Sequence, residues 1–398
     1  MRRTYRGVVC LAAVGIVVLT VLAAALFLQR SREQARAEER GRFRVAGAEP
    51  AAVEPAGEGQ AAVEPSGAGQ AGGGAVGEEP GAAGQKGEAA AAVGIGEAAA
   101  EEENTAEGET ESPVKSSSDI VMLFAGDVYF SDHVLRAYDS AGGIHGVLDE
   151  GIRAEIEKAD IFMVNQEFPF TVRGTAAEDK QFTFRVPESR IHILQEMGVD
   201  IVTLANNHIL DFGAEGLLDS CKALDEAGIL HVGGGADFDQ ASALETIIVG
   251  QKTIGFLGTS RVYMDAGWAA GKAHPGVFST YDTTLPLKAI QEARKACDYL
   301  VVYVHWGVER EETPKDYQRA MGRAYIDAGA DLVIGSHPHV LQPVEEYNGK
   351  TIVYSLGNFV FGSSIPRTAL LKVVWGEDGA QVSEISCTSS GGCTRLSQ

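Results

Sequence analysis

The chain has 398 residues, of which 45% are hydrophobic, and a formal net charge of −22. This length can bury one large domain or two ordinary ones. The acidic balance argues against a nucleic-acid-binding protein, because phosphates need a basic surface. It suits a metal site, where carboxylates bind a cation.

The N-terminal residues 1–42 are predicted to form a membrane anchor with basic flanks. Residues 7–28 are uncharged and mostly apolar, enough to cross a hydrocarbon core of about 30 Å as one helix. A cleaved signal peptide is the alternative, but its apolar stretch is usually only about 7–15 residues long. Arginines lie on both sides of the span, so charge alone does not orient it. We expect a single-pass cell-membrane protein with a cytoplasmic N-terminus and an extracellular C-terminal domain.

Residues 43–117 are predicted to be a disordered linker. They are rich in Ala, Gly and Glu and contain a ten-residue repeat, AAVEPAGEGQ at 51–60 followed by AAVEPSGAGQ at 61–70. Such a composition cannot bury enough apolar surface to order itself. The linker is either a self-repelling spacer that holds the next domain off the membrane or a neutral connection.

Residues 118–398 read as one α/β domain, because short apolar runs alternate with amphipathic segments. This order predicts a largely parallel sheet. The predicted strands are 120–126, 160–165, 200–205, 253–258, 299–304, 331–335, 351–355 and 369–375. The predicted helices are 150–158, 188–197, 214–227, 286–296 and 315–328.

Polar side chains of the metal-ligand type follow six of these predicted strands. In open α/β sheets the carboxyl ends of the strands line the ligand crevice, so we expect these residues to converge. They are Asp127, Asn165, Glu167, Asn206, Asn207, His208, His305, His337, His339 and Asn358. Each also has an ordinary structural interpretation, such as a turn, a helix cap, a core histidine, or an ion pair of Glu167 with Arg173 or Arg185.

Histidines, acids and an amide without cysteine indicate a divalent metal such as Mn, Fe or Zn. The groups outnumber the ligands that one catalytic metal needs, and two metals sharing one carboxylate would use them all. His133 is the only other histidine that we retain as a candidate ligand. Cys387 and Cys393 enclose TSSGG and could form a disulfide, which the sequence leaves open.

Six ordered motifs resemble those of the CapA/PgsA family of poly-γ-glutamate capsule synthesis proteins. The motifs are AGDVYF, NQEFPF, LANNHILDFG, VHWGVE, IDAGADLVIGSHPHVLQP and YSLGNFVF, and the resemblance covers roughly residues 119–375. This family is similar to the calcineurin-like metallophosphoesterases. The resemblance therefore implies a four-layer α/β/β/α sandwich with a dinuclear metal centre.

The resemblance also implies roles for single residues. Asp127 would bind the first metal, Glu167 would bridge, and Asn207 and His305 would bind the second metal. His337 and His339 would bind one metal each. His208 would act as an acid or orient the substrate, with its tautomer held by Asp211. The expected substrate pocket comprises Asn165, Asn206, Glu309 and Asn358.

Three positions depart from the family patterns. Tyr129 stands where the phosphoesterases usually have a histidine, the bridging residue Glu167 replaces an aspartate, and Ser336 replaces a histidine that relatives often carry. A weakly held first metal or a single-metal site is therefore an alternative to two ions.

The leading functional hypothesis is an external, membrane-anchored protein of poly-γ-glutamate synthesis or export with a metallophosphatase-like site. The alternatives are a surface phosphoesterase unrelated to capsule, a non-catalytic subunit of a polymer-synthesis complex, and a surface binding module. Partners would be the membrane, other complex subunits, and a polyglutamate or phosphoester substrate. Because the domain is acidic, contact with a polyanion must use metals or basic residues such as Arg173, Arg185 and Arg190.

Overall fold

The computed structural model describes residues 119–397, so the predicted span 7–28 and the linker 43–117 lie outside the described residues. None of the helices within 119–397 has the length and apolar character needed to cross a membrane. The helices are α1 (Asp132–Ala141), α2 (Glu150–Lys158), α3 (His192–Glu196), α4 (Gly213–Ala227), α5 (Phe238–Ala241), α6 (Thr284–Ala293) and α7 (Asp316–Ala328). Short 3₁₀ turns occupy Ile144–Gly146, Glu188–Arg190 and Ala266–Trp268.

The first sheet is mixed and has eight strands. They are β1 (Ile120–Val128), β2 (Ile161–Gln166), β3 (Ile201–Thr203), β4 (Leu230–Val232), β13 (Asn358–Val360), β14 (Ser364–Gly376), β15 (Gly379–Ser390) and β16 (Cys393–Leu396). Their order is β16-β15-β14-β1-β2-β3-β4, and β13 also pairs with β1. The four strands from β1 to β4 are parallel, whereas β14, β15 and β16 pair antiparallel.

The second sheet has six strands in the order β11-β12-β10-β9-β7-β6. They are β6 (Glu245–Val249), β7 (Lys252–Ser260), β9 (Tyr299–His305), β10 (Leu332–Ser336), β11 (Leu341–Tyr347) and β12 (Lys350–Leu356). The four inner strands are parallel, and the edge strands β6 and β11 pair antiparallel. A two-stranded ribbon joins β5 (Gly234–Gly235) to β8 (Gly276–Val277).

The two sheets pack face to face, with helices on their outer faces. On β1, Met122 and Phe124 belong to the core between the sheets, while Leu123 packs in the core under the helices of the first sheet. On β9, Val301 likewise faces the inner core and Val302 the outer core of the second sheet. Because successive side chains of a strand point to opposite faces, strands buried on both faces read as continuous apolar runs. The layers are therefore helix, sheet, sheet and helix.

Each of the eight predicted strands coincides with a strand, but the topology differs from one largely parallel sheet. The chain forms two sheets, and the first carries an antiparallel extension from β14 to β16. The predicted helix 188–197 is divided into a 3₁₀ turn, Glu188–Arg190, and α3. Ten elements were not predicted from the sequence: the helices α1 and α5 and the strands β4, β5, β6, β8, β11, β13, β15 and β16. β15 alternates exposed and half-buried residues, so it lacks the apolar run that marks the central strands.

Cys387 and Cys393 are both free thiols. In the hairpin of β15 and β16, Cys387 lies opposite Leu396, and Cys393 lies opposite Ser390. The strand register therefore keeps the two sulfurs on different rungs of the ladder, and the disulfide that the sequence allowed is not formed.

Candidate metal centre

The carboxyl ends of the parallel strands of both sheets meet at one place. Asp127 in β1 lies opposite Asn165 in β2, and His305 at the end of β9 lies opposite Ser336 in β10. The backbone N–H of His337 lies 3.4 Å from Asp127 Oδ2, which brings the two sheets together. The predicted metal ligands that gather here are Asp127, Glu167, Asn207, His305, His337 and His339.

Glu167 is the central acid of this cluster. Its side chain is fully buried, and neither carboxylate oxygen has a hydrogen-bond partner among the described residues. His305 Nε2 lies 3.6 Å from Oε1, and His339 Nε2 lies 3.9 Å from the same oxygen. Burial, followed by the charge of Asp127, raises the pKa of Glu167 well above its ordinary value. A buried carboxylate without a partner fits a bound cation, which would balance its charge.

Two groups of ligand-type atoms share Glu167. One contains Glu167, His305 and His337, and the other contains Asp127, Glu167 and His339, with all atoms of a group within 4.8 Å of one another. Two cations about 3.5–4 Å apart with a shared carboxylate would use this donor set. A third group joins Glu309 to His337 and His339. The residues present thus fit divalent metal ions.

His305 is held in an orientation that suits a ligand. Its Nδ1 lies 2.9 Å from Ser336 Oγ, and its Nε2 lies 2.8 Å from Asn207 Oδ1. Burial is the main cause that lowers the pKa of His305 well below its ordinary value, so the ring is neutral. Metal-binding histidines need a neutral ring and a partner for the second nitrogen. Ser336, which departs from the family pattern, supplies that partner.

The two histidines of the His-Pro-His segment have different surroundings. His337 has no partner for its buried Nδ1 within residues 119–397, and burial together with the charge of His339 lowers its pKa to about 3. His339 Nδ1 lies 3.1 Å from Asp127 Oδ2 and 2.8 Å from Asn358 Oδ1. Burial lowers the pKa of His339, but Glu167 and Asp127 outweigh it and raise the pKa to about 10. His337 thus has a buried Nδ1 without a hydrogen-bond partner in the described part of the chain, whereas His339 interacts with the carboxylates of Asp127 and Glu167.

Asn165 and Asn206 are fully buried and support the ligands instead of lining a pocket. Asn165 Nδ2 donates to Asp127 Oδ1 at 2.8 Å, and Asn206 Nδ2 donates to Asn165 Oδ1 at 3.0 Å. Asn206 Oδ1 accepts the backbone N–H of His208 at 3.0 Å, which shapes the turn after β3. Their predicted contact with substrate stays a prediction.

His208 and Asp211 form the predicted pair, with Lys180 as a third member. His208 Nδ1 lies 2.7 Å from Asp211 Oδ2, and the Lys180 ammonium contacts Asp211 Oδ1 and lies 3.0 Å from His208 Nδ1. Phe184 stacks on the His208 ring at 4.0 Å between centroids. Burial lowers the pKa of His208. Asp211 does not cap α4, because its carboxylate is engaged here. The sequence around Lys180, EDKQF, carries no pattern that indicates this role.

A cavity of ≈ 510 Å³ opens beside the cluster. Its wall includes His208, His339, Glu309 and Asn358, so two of the four predicted pocket residues line it. Phe182, Phe184 and Phe361 form an aromatic part of the wall, and Arg310, Glu312 and Arg367 contribute charged groups.

His133 and Tyr129, the two residues considered at the first metal, belong to none of the three ligand groups. His133 is exposed, and its Nδ1 lies 3.1 Å from Arg136 Nη2. Tyr129 stacks on Phe184, a residue of the cavity wall, with ring centroids 4.1 Å apart.

The chain belongs to the bacterial capsule synthesis protein PGA_cap family, whose model matches residues 121–363. The PGA biosynthesis protein CapA of Bacillus subtilis (strain 168) is 35% identical over 266 residues, which cover 66% of this chain and 69% of that protein. The capsule biosynthesis protein CapA of Bacillus anthracis is 32% identical over 269 residues, with 65% and 64% covered. A putative 5'-nucleotidase from Staphylococcus aureus is a solved structure with 15% identity and a TM-score of 0.41, covering 67% of this chain and 53% of that chain.

Proposed function

We propose that this protein acts in the synthesis or export of poly-γ-glutamate capsule through a site that binds divalent metal ions. The family membership and the names of the two CapA relatives support the capsule role. The observation that carries the metal site is the fully buried Glu167, which belongs to two ligand groups and whose carboxylate oxygens have no hydrogen-bond partner within residues 119–397. The order of helix and sheet layers supports the finer fold assignment, a four-layer sandwich of the metallo-dependent phosphatase type.

The site would hold two ions, chosen from Mn, Fe and Zn. Asp127 and His339 would bind one ion, His305, His337 and Asn207 the other, and Glu167 both. A bound divalent ion supplies Lewis-acid polarisation of an anionic oxygen. Hydrogen bonds within the chain orient the metal-binding histidines, because Asn358 contacts His339 and Ser336 contacts His305.

We infer that residues 7–28 anchor the chain in the cell membrane and that the C-terminal domain lies outside the cell, where it would contact other subunits of a synthesis complex. Protease treatment of intact cells tests this topology. Digestion of the C-terminal domain in intact cells is the expected result, and its protection would contradict the external orientation.

A strain that lacks this chain tests the capsule role. Reintroducing the wild-type chain should restore poly-γ-glutamate output, measured by polymer mass per cell. The double change Asp127→Ala and His337→Ala should reduce that output while the protein remains present in the membrane fraction. Undiminished output from the double variant would favour a non-catalytic subunit.

A second candidate is a metal-dependent phosphoesterase, and the pair of His208 and Asp211 on the cavity wall favours it. With Nδ1 held by Asp211, His208 Nε2 is the nitrogen that would face a leaving oxygen, and it gives a proton to that oxygen from the doubly protonated ring, which then becomes neutral. Hydrolysis of a generic phosphoester with and without chelator tests this activity. His208→Ala should abolish hydrolysis without reducing metal content, and unchanged hydrolysis would exclude the proposed acid.

A further inference from the structure

Arg310 lies on the wall of the cavity with a backbone conformation that is unusual for arginine. Its φ is 62°, in the left-handed region that non-glycine residues avoid. Its backbone N–H donates to the Pro338 carbonyl at 2.8 Å, which joins it to the His-Pro-His segment. His337 and His339 also have positive φ values, 95° and 58°. Strained non-glycine residues concentrate at ligand sites, so the conformation of Arg310 points to a role in binding.

Of the two arginines on the cavity wall, Arg310 differs from Arg367 because no side chain within residues 119–397 pairs with its guanidinium. Arg367 pairs with Glu312 at 3.1 Å. Glu309 belongs to one of the three groups that could hold a cation. Within residues 119–397, no hydrogen bond or ion pair involves the Arg310 guanidinium. This leaves a positive charge available to a ligand in the cavity.

Arg173, Arg185 and Arg190, the basic residues expected to contact a polyanion, are engaged elsewhere. Arg173 pairs with Asp219 at 2.5 Å, and Arg190 pairs with Asp139 at 2.6 Å. The Arg185 guanidinium lies over the Phe212 ring, 4.4 Å from its centroid. Unlike these three arginines, Arg310 lines the cavity beside the candidate metal centre and has a guanidinium without a partner within residues 119–397.

The same cavity offers apolar surface next to the charge. Phe182 is 62% exposed, and Phe184 and Phe361 complete this part of the wall. Aromatic rings of this kind pack well on methylene groups. A guanidinium binds a carboxylate through two parallel hydrogen bonds. A ligand that fits both features carries an anionic group next to methylene groups.

We propose that Arg310 is an anion-binding subsite for an oligomeric carboxylate, such as a chain of γ-linked glutamate, whose end lies at the candidate metal centre. One anionic group of the chain takes the centre, the next binds Arg310, and the methylene groups between them contact the phenylalanines. This inference rests on the proposed function and adds the residue that selects the ligand.

Calorimetric titration of the full chain, purified in detergent with Mn²⁺ present, tests the subsite. The two probes are a γ-linked glutamate trimer and inorganic phosphate. Arg310→Gln should weaken trimer binding at least about tenfold, the usual effect of losing a charge-assisted hydrogen-bonded pair. Phosphate affinity should stay within about twofold, because a single anion occupies the centre alone. Arg395→Gln is the matched control, since Arg395 is exposed and does not line the cavity.

The outcomes separate this inference from the proposed function. Equal trimer affinity in the wild type and Arg310→Gln overturns the subsite, and so does an equal loss for trimer and phosphate. A wild-type chain that binds metal but not the trimer also overturns it. A wild-type chain that binds no metal overturns the proposed metal site, and the subsite with it. Metal content and thermal unfolding are measured for each variant, so that binding is compared only between folded, metal-loaded proteins.

Discussion

Replacing Glu167 with glutamine tests the shared carboxylate of the candidate metal centre. Glu167 is fully buried, and its surroundings raise its pKa well above the ordinary value. Without a cation the raised pKa favours the protonated, uncharged form of the carboxyl group, and glutamine replaces it with a neutral group of the same size. In chelator we expect Glu167→Gln to change the free energy of unfolding by less than about 1 kcal/mol.

The effect should appear when cation is present. At a concentration 100 times its Kd, one bound ion raises the free energy of unfolding by about 2.7 kcal/mol. Because 1 kcal/mol corresponds to roughly 2–4 °C in a domain of this size, each ion should raise the melting temperature by roughly 5–10 °C, and a wild type that binds two ions should melt roughly 10–20 °C higher with cation than with chelator. The neutral amide of Glu167→Gln cannot bridge two cations, so this shift should fall by half or more.

Scanning calorimetry with Mn²⁺ or chelator, combined with metal analysis by mass spectrometry, measures both effects. The wild type should contain about two ions per chain and the variant one or none. Glu377→Gln removes an exposed glutamate in the turn between β14 and β15 and should match the wild type. A Glu167→Gln protein with full metal content and an undiminished shift would refute the reasoning.

Three further predictions concern stability. Lys180→Met removes the cation beside the buried Asp211 carboxylate and should lower the free energy of unfolding, measured in urea, by about 3 kcal/mol. Lys180→Arg keeps the positive charge and should lose less stability. Equal stability of Lys180→Met and the wild type would mean that the ion pair with Asp211 does not stabilise the fold. Gly335→Ala would bring a Cβ atom 2.1 Å from a backbone carbonyl of β12 and should lower the melting temperature by roughly 5 °C or more. Gly362→Ala is the control, because open space surrounds Gly362, and it should keep the wild-type melting temperature. Equal melting temperatures for the two variants would show that β12 moves to make room for the added methyl group. Burial raises the pKa of Tyr325 to about 12, so the unfolded chain releases this proton near pH 10 while the folded chain keeps it. The contribution of Tyr325 to the free energy of unfolding is thus complete below pH 10 and is lost as the pH rises to 12, by up to about 2.7 kcal/mol. In denaturant titrations at pH 9 and 11.5, Tyr325→Phe should lack this loss. An identical pH dependence of the variant and the wild type would contradict the raised pKa of Tyr325.

The central strands could be read from the sequence because both of their faces are buried. Their apolar runs end at Asp127, His305 and the His-Pro-His segment, so the candidate ligands were visible as polar residues at strand ends. The division into two sheets was not visible in these runs, since a strand buried between two layers looks the same in either arrangement. The hairpin of β15 and β16 was not predicted, because its outer face is exposed to solvent and its strands lack a continuous apolar run.

The sequence by itself determined which residue types stand at the strand ends and which family they resemble. Only the tertiary structure decided which of these residues lie next to one another. It put Glu167 into two ligand groups and brought Lys180 to Asp211 across 31 positions of the chain. It also left Arg310 unpaired on the cavity wall within the described residues. Local periodicity records the face on which a side chain lies, whereas contacts between distant segments depend on the packing of whole layers.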